Sequence, residues 1–459
     1  MRYAILLSVA ALLAGCEQAS KPRISVSTDG RPNLLLIILD DVGFEHIGRM
    51  RSRPSEDMPR TPNIDALCDG GMWFSKCYAN PNCSPTRATI ATGRYGFRTG
   101  VGAIIGRSGT AELAVSEVIL PEVLVAAGYD CSLVGKWHLG SGDHAVRSGW
   151  PWSSGTEGNI VNVHAGRASV VGRDHKTTEN YWHWPKTTNG TREWCDRYAT
   201  AETTDDALRR MGEMKAPWLL WLSYNAIHGP WHVPPDGTHH YAPAELADSP
   251  QMQSYAMTEN IDYEIGRLLA QMSPASRRNT VIALISDNGP QGWDENGRPA
   301  VEWASREKGN LAHGGQHVPL IINGSCISRD VRGARCDSLV SATDLFTTLV
   351  ELAGGAAPAD RPIDGVSLLP LFNDPAAAVR SFVYSERFPH QADGGEIEQH
   401  RFMISDGEWS LHYEERDGQP TLYRHDRSLD PRIRESPQAT EAAARLRAAA
   451  TELLGAWPG

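Results

Sequence analysis

The chain predicts an α/β fold in which a large, mostly parallel sheet is sandwiched by helices and followed by a small C-terminal antiparallel sheet with one helix. Three observations predict it. Short unbroken apolar runs alternate with helix-like segments, as expected of strands buried on both faces. After Pro375 the pattern changes to short runs broken by hairpin turn signals. The 459 residues, 41% of them hydrophobic, suffice for one large domain and an appendage.

The formal charge of -11 argues against a nucleic-acid or heparin-binding surface, which carries a basic excess. An anionic substrate must then be met by a local basic pocket. No nucleic-acid partner is expected.

Residues 1–16 read as an export signal: Arg2 precedes an apolar run, Ala4 to Leu13, too short to span a bilayer. Its ending, Leu13-Ala14-Gly15-Cys16, resembles the bacterial lipobox, in which the cysteine is lipidated and becomes the mature N-terminus. Glu17 follows, so the aspartate that resembles an inner-membrane retention signal is missing. The expectation is an exported lipoprotein, anchored in the outer membrane and facing the periplasm or cell surface. Residues 17–30 are polar and read as a tether.

Residues 31–375 form the expected main domain. Its clearest strands are Asn33 to Leu39, Cys131 to Val134, Trp218 to Leu222 and Val281 to Ile285; helices are expected over Pro62 to Gly70, Leu120 to Ala127, Ser254 to Met272 and Ala342 to Leu352. Val146 to Tyr198, rich in Gly, Trp, Thr and His, lacks periodicity and reads as long loops over the sheet. Its Trp150, Trp152, Trp182, Trp184 and Trp194 suit either stacking on sugar or aryl rings, or packing of the insert onto the domain. In residues 376–459, Arg401 to Glu415 and Leu422 to His425 read as strands broken at Asp406-Gly407 and Asp417-Gly418, and Ala439 to Leu454 as an amphipathic helix.

Four apolar strands run into polar residues, and in a parallel sheet such ends share one edge. Leu39 is followed by Asp40-Asp41, Ser286 by Asp287-Asn288, and the other two strands lead to Lys136 with His138 and to His228. Adjacent carboxylates at the dry end of a buried strand repel unless a cation neutralises them. The all-oxygen donors Asp40, Asp41, Asp287 and Asn288 suit a hard ion, calcium or magnesium, and calcium better if the site is crowded. Taken singly, each aspartate would be read as a turn or cap residue.

Asn82-Cys83-Ser84-Pro85-Thr86-Arg87 then opens a short helix ending near Gly93, with Ser84 expected as N-cap and Pro85 in the first turn. Cys83 falls at the helix N-terminus, where free N–H groups favour an anion, and Arg87 lies one turn on. Of the eight cysteines, setting aside Cys16 and Cys83 leaves Cys68, Cys77, Cys131, Cys195, Cys326 and Cys336. Disulfides such as Cys326 with Cys336 or Cys68 with Cys77, and buried free thiols, both remain open.

The segment Cys83 to Gly93 satisfies C-x-P-x-R-x-x-x-x-T-G, flanked by T-P-N-I-D-A-L and G-R-Y-G-F-R-T-G-V. Further stretches are L-P-E-V-L-V-A-A-G-Y, G-K-W-H-L-G, N-A-I-H-G-P, S-D-N-G and R-E-K-G-N-L around Lys308. From Asn33 to about Leu371 the chain resembles the formylglycine-dependent sulfatases of the alkaline-phosphatase superfamily. The resemblance implies an alkaline-phosphatase-like sheet and a sulfuric-ester hydrolase acting on an aryl or carbohydrate sulfate. It implies Cys83 converted by a maturation enzyme to formylglycine, whose hydrated aldehyde is nucleophile and metal ligand. It further implies one calcium ion on Asp40, Asp41, Asp287 and Asn288, with Arg87 and His138 activating the nucleophile. Lys136, His228 and Lys308 would hold the sulfate and assist the leaving oxygen.

Two stretches depart from the family pattern. His313 and His317 replace an acid and a base in L-A-H-G-G-Q-H-V-P, and Phe44-Glu45-His46 replaces the usual further Gly and Asp. These affect substrate contacts, not the nucleophile and metal set. Phosphodiester or phosphonate ester hydrolysis is the alternative within the superfamily; an inactive glycan-binding surface lipoprotein is the third reading, and no lost catalytic position supports it.

Overall fold

The computed structural model describes residues 30–52, 58–106, 112–160, 179–291, 308–389, 399–415, 418–424 and 436–457. Residues 1–29, where an export signal, Cys16 and a tether are expected, lie outside the described residues, as do Asp417 and His425. Among the described residues no helix is long and apolar enough to cross a membrane.

Sixteen strands are described, and all but six build one sheet. In chain order they are β1 (Asn33–Leu39), β2 (Met72–Phe74), β3 (Cys77–Tyr78), β4 (Asp130–Gly135), β5 (Ser153–Gly155), β6 (Trp184–Thr188), β7 (Thr191–Cys195) and β8 (Trp218–Ser223). Then follow β9 (Thr280–Ser286), β10 (Leu320–Asn323), β11 (Ala334–Cys336), β12 (Val340–Ser341), β13 (Val383–Arg387), β14 (Arg401–Ser405), β15 (Trp409–Glu414) and β16 (Thr421–Arg424). The main sheet has the order β11-β2-β10-β9-β1-β8-β4-β5-β6-β7. Strand β1 pairs in parallel with both β8 and β9, and β4 pairs in parallel with β8 and β5. Leu39 lies opposite Ser286, while Ile38 and Gly135 both lie opposite Ser223. The residues that follow these strands therefore emerge together on one edge.

Period-two alternation gives β1 two buried faces. Leu34, Leu36 and Ile38 join a core beneath the helices Cys83–Thr92, Leu120–Ala126 and Asp344–Leu352. Leu35, Ile37 and Leu39 join the other, beneath Pro62–Gly70, Ala199–Glu213 and Pro250–Gln271. The observed architecture is the predicted one. The second sheet, β13-β14-β15-β16, is antiparallel throughout, and Ala439, Ala442, Leu446 and Ala450 of the helix Pro437–Leu454 pack on it.

Three sequence-based expectations need correction. The insert expected to form loops supplies β5, β6 and β7, which extend the main sheet; β6 and β7 form a hairpin across Asn189-Gly190, both at positive φ. The long helix begins at Pro250, not Ser254, because Ser249 caps it by accepting from Met252 N. The nucleophile helix has Asn82, not Ser84, at its N-cap, so Cys83 is its first residue; Ser84 Oγ instead accepts from Ile105 N at 3.0 Å.

Four of the five tryptophans of the insert serve packing. Trp150 and Trp184 are buried, Trp152 lies under Arg209 and Arg210, and Trp182 packs on Tyr198. Trp194, 59% exposed, is stacked on His183 at 4.3 Å. The seven described cysteines are free thiols, so neither suggested disulfide forms.

Candidate active site at the strand ends

All ten residues of the helix Cys83–Thr92 are buried, and Gly93 ends it in the left-handed conformation. Its threonines turn inward on the backbone, Thr89 Oγ1 donating to Pro85 O and Thr92 Oγ1 to Ala88 O, both at 2.8 Å. This lets polar side chains sit in a buried helix without unpaired hydroxyls. Cys83 stands at its first turn, where burial raises the thiol pKa against the opposing charges of Lys136 and Lys308.

The carboxylates come from the two central strand ends. Asp40 and Asp41 follow β1 and Asp287 follows β9, and one oxygen from each lies within 4.8 Å of the others. Asp41 has φ 63°, a strained conformation for a non-glycine residue, and its N–H donates to Asp287 Oδ1 at 3.3 Å. Asn288 Nδ2 donates to Asp41 Oδ1 at 2.7 Å.

Arg87 ties four strand ends together. Its Nε and Nη2 both donate to Asp287 Oδ2, Nη2 lies 3.4 Å from Asp40 Oδ2, and Nη1 donates to the Lys136 carbonyl and to Ser223 Oγ. The guanidinium expected to face the nucleophile is thus engaged by the carboxylates. Lys136 follows β4 at Gly135, where φ is 95° and a Cβ would stand 1.8 Å from the Ser223 carbonyl, so only glycine allows this approach. Lys136 Nζ donates to Asp40 Oδ2 and to Asn159 Oδ1. Lys308 Nζ donates to Asp41 Oδ1 at 2.5 Å.

Burial pushes the Asp40 carboxyl up, but Lys136, His228 and Arg87 outweigh it and hold its pKa well below the usual range. For Asp287, burial and the charge of Asp40 win over Arg87 and Lys136, lifting the pKa to about 6. Burial likewise raises Asp41 against the pull of Lys308. Burial works against the Lys308 cation too, but Asp41 more than offsets it and keeps it protonated.

Two histidines complete the group. His138 has φ 59°, its N–H donates to Glu157 O at 2.9 Å, and its Nδ1 is buried without a hydrogen-bond partner. Burial, then Lys136 and Arg87, drive its pKa well below the ordinary value, so the ring is neutral. His228 is fixed by Nδ1 donating to Gly229 O at 2.8 Å and by Tyr181, whose hydroxyl donates to the His228 carbonyl at 2.8 Å. Burial and then Lys308 depress its pKa to about 3.

Cys83, Arg87, Lys136, His138, His228 and Lys308 thus gather with Asp40, Asp41, Asp287 and Asn288 at the same sheet edge, and Lys136, His228 and Lys308 all act electrostatically on Asp40. Sequence reasoning missed Asn159 and Ser223, which hold Lys136 and Arg87. Asn159 was hidden in the insert read as loop, and Ser223 is simply the polar last residue of an apolar strand. The departures His313 and His317 stand beside this edge: they stack on each other at 4.4 Å, and His317 stacks on Phe44 at 4.6 Å.

The donor set fits a hard cation. Asp40 Oδ1 and Asn288 Oδ1 are buried oxygens without hydrogen-bond partners, next to carboxylates whose mutual repulsion is only balanced by Arg87 and two lysines. Such an edge, with cations grouped around a buried residue at a helix N-terminus, defines a hydrolase of anionic esters.

The sulfatase family model matches residues 32–356. Canine N-acetylgalactosamine-6-sulfatase is 30% identical over 391 residues, covering 80% of this chain and 69% of that protein. The uncharacterized sulfatase YdeN of Escherichia coli is 25% identical, covering 87% of this chain and 81% of the other. In fold, the crystal structure of Ps i-CgsB is similar with TM-score 0.70 at 22% identity, covering 93% and 92% of the two chains. BT4656, solved in complex with its substrate D-glucosamine-2-N,6-O-disulfate, is similar with TM-score 0.68 at 18% identity, over 93% and 99%. The chain belongs to the sulfatase family and is a sulfuric-ester hydrolase.

Proposed function

We propose that this sulfatase removes the sulfate of a sulfated carbohydrate, with Cys83 matured to formylglycine and one calcium ion held by Asp40, Asp41, Asp287, Asn288 and the matured residue. The supporting observation is the charge balance around Cys83. Three buried carboxylates, Asp40, Asp41 and Asp287, face three buried cations, Arg87, Lys136 and Lys308. One divalent ion leaves that group with an excess of two positive charges, matched to a sulfate ester and to the charge its oxygens gain in the transition state.

When bound, calcium supplies electrostatic stabilisation of that charge, and the hydrated aldehyde supplies a nucleophile that can shed sulfate by re-forming the carbonyl. The remaining steps belong to side chains. Neutral His138, with its unpartnered Nδ1, is placed to accept a proton. His228 has Nδ1 committed to Gly229 O, so Nε2 is the nitrogen that loads a proton for the leaving oxygen; burial and then Lys308 depress its pKa, and an anionic ester offsets the Lys308 part. Lys136 and Lys308 hold the sulfate oxygens, while Arg87 fixes Asp287.

A carbohydrate substrate is favoured by the N-acetylgalactosamine-6-sulfatase relatives and by the saccharide complexes among the structural neighbours. The export signal and Cys16 support an outer-membrane lipoprotein that meets its glycan in the periplasm or at the cell surface, matured by a formylglycine-generating enzyme, and 376–459 is read as a subdomain of the catalytic unit 31–375. Turnover of an aryl sulfate against an aryl phosphodiester tests the reaction: the sulfate should be preferred, and preference for the phosphodiester would move the protein to phosphoryl transfer.

A further inference from the structure

Three consecutive residues of strand β13, paired with β14 in the C-terminal sheet, also bond to the catalytic unit. Ser385 Oγ donates to the Ala79 carbonyl at 3.0 Å, and the Glu386 N–H donates to Asn80 Oδ1 at 3.2 Å. Both contacts brace the chain just before Cys83. Arg387 Nη1 donates to the carbonyl of Gly309 at 2.6 Å, a short charge-assisted bond on the residue that follows Lys308.

Gly309 is held on its other side as well, its N–H donating to the Pro81 carbonyl at 2.8 Å, two residues before Cys83. Its φ is 81°, so the chain turns sharply here in a conformation that glycine adopts without strain. The Gly309 peptide therefore joins the nucleophile segment, the Lys308 turn and the C-terminal sheet at one point. Lysine has a long flexible stem, and the placement of its ammonium depends on where the backbone starts it.

We infer that Arg387 is a positioning residue of the sulfatase site, acting through the Gly309 carbonyl to hold Lys308 against Asp41 and beside Cys83. The inference rests on the role proposed for Lys308. Without the guanidinium the turn keeps its Pro81 bond but loses its anchor to the second sheet, and a shift of about 1 Å in a substrate-positioning group costs about 10²-fold in rate. The C-terminal sheet is, on this reading, part of the catalytic machinery's support and not a separate appendage.

The test is a double-mutant cycle of Arg387→Met, which keeps the aliphatic stem, with Lys308→Ala, normalised to the fraction of Cys83 converted. In the Lys308 background Arg387→Met should lower kcat/KM on an aryl sulfate by about 10- to 100-fold, and in the Lys308→Ala background by less than about twofold. Arg387→Lys, retaining a donor and the charge, should recover most of the loss, and it carries the cycle if the Met variant does not fold. The same cycle read as affinity for inorganic sulfate follows Lys308 placement even if the aryl sulfate is not turned over. Absence of turnover with intact coupling in sulfate affinity contradicts the proposed reaction alone. Equal losses in both backgrounds, in rate and in sulfate affinity, overturn the role of Arg387.

Discussion

Arg87 and Asp287 meet through two hydrogen bonds to a single carboxylate oxygen, Nε at 3.0 Å and Nη2 at 2.7 Å from Oδ2, with both side chains fully buried. The pair locks the helix that begins at Cys83 to the end of β9. Removing one partner of a buried ion pair leaves the other unpaired and costs about 3 to 5 kcal/mol. Arg87→Met should therefore lower stability by about that amount, and adding Asp287→Asn should restore part of it. Chemical denaturation of the single and double variants, metal-free, checks this; additive losses would show that the pair is not coupled.

Calcium should raise the melting temperature, since an ion bound only by the native state stabilises it by about 2.7 kcal/mol at a hundredfold excess over Kd. Asp40→Asn and Asp287→Asn should each remove most of that gain. Melting with calcium and with chelator reads it, and equal values in wild type after exhaustive chelation would argue against the ion.

The stripped protein should show an unusual pH response. Asp287 is lifted from 3.8 to about 6 by burial and the charge of Asp40, and Asp41 is raised too. A folded carboxyl with a raised pKa holds a proton that the unfolded chain has released, so Asp287 lowers stability as pH rises from 3.8 towards 6, and Asp41 acts in the same sense. Asp40 works in the opposite sense, its stabilisation present above 3.8 and lost only in stronger acid. Calcium requires ionised ligands, so its affinity should weaken as pH falls through about 6, with protons expelled on binding near that pH. Calorimetric titration near pH 6 in buffers of different ionisation enthalpy should give buffer-dependent heats; identical heats would mean the carboxylates are already ionised.

The strands that build this site were legible because a strand buried on both faces is written as an unbroken apolar run, as in Leu34 to Leu39 and Val281 to Ile285. Their polar sequels, Asp40 and Asp287, could then be placed on one edge by topology alone. Strands β6 and β7 were not legible as strands, because Trp184-Pro185-Lys186-Thr187-Thr188 and Thr191 to Cys195 form an outer hairpin without apolar alternation. The Asn189-Gly190 turn was the available signal. Which partner each charge takes was also hidden, since the engagement of Arg87 by Asp287 depends on a register between distant segments. The departures Phe44 and His317 were visible one at a time; that their rings stack on each other needs the fold.

Lys136→Ala or Lys308→Ala should lower turnover of an aryl sulfate by tens to hundreds of times, a loss on the order of 2 to 4 kcal/mol in transition-state stabilisation. Either change also leaves a buried aspartate short of a partner, Asp40 or Asp41, so stability should fall as well. His313 or His317 variants should keep activity on the small substrate and change the choice among sulfated saccharides. A lysine variant with full activity, or a His313 variant inactive on the aryl sulfate, would reverse these assignments.

Everything proposed for this site depends on Cys83 being the precursor of the nucleophile. The most direct measurement is the mass of the Cys83-containing peptide from active protein made in cells that possess the maturation system, alongside the activity of Cys83→Ala. An aldehyde should stand in place of the thiol in the active protein, and the Ala variant should be folded but inactive. An active enzyme whose Cys83 remains an unmodified thiol, or an Ala variant that still hydrolyses sulfate esters, would contradict this role for Cys83.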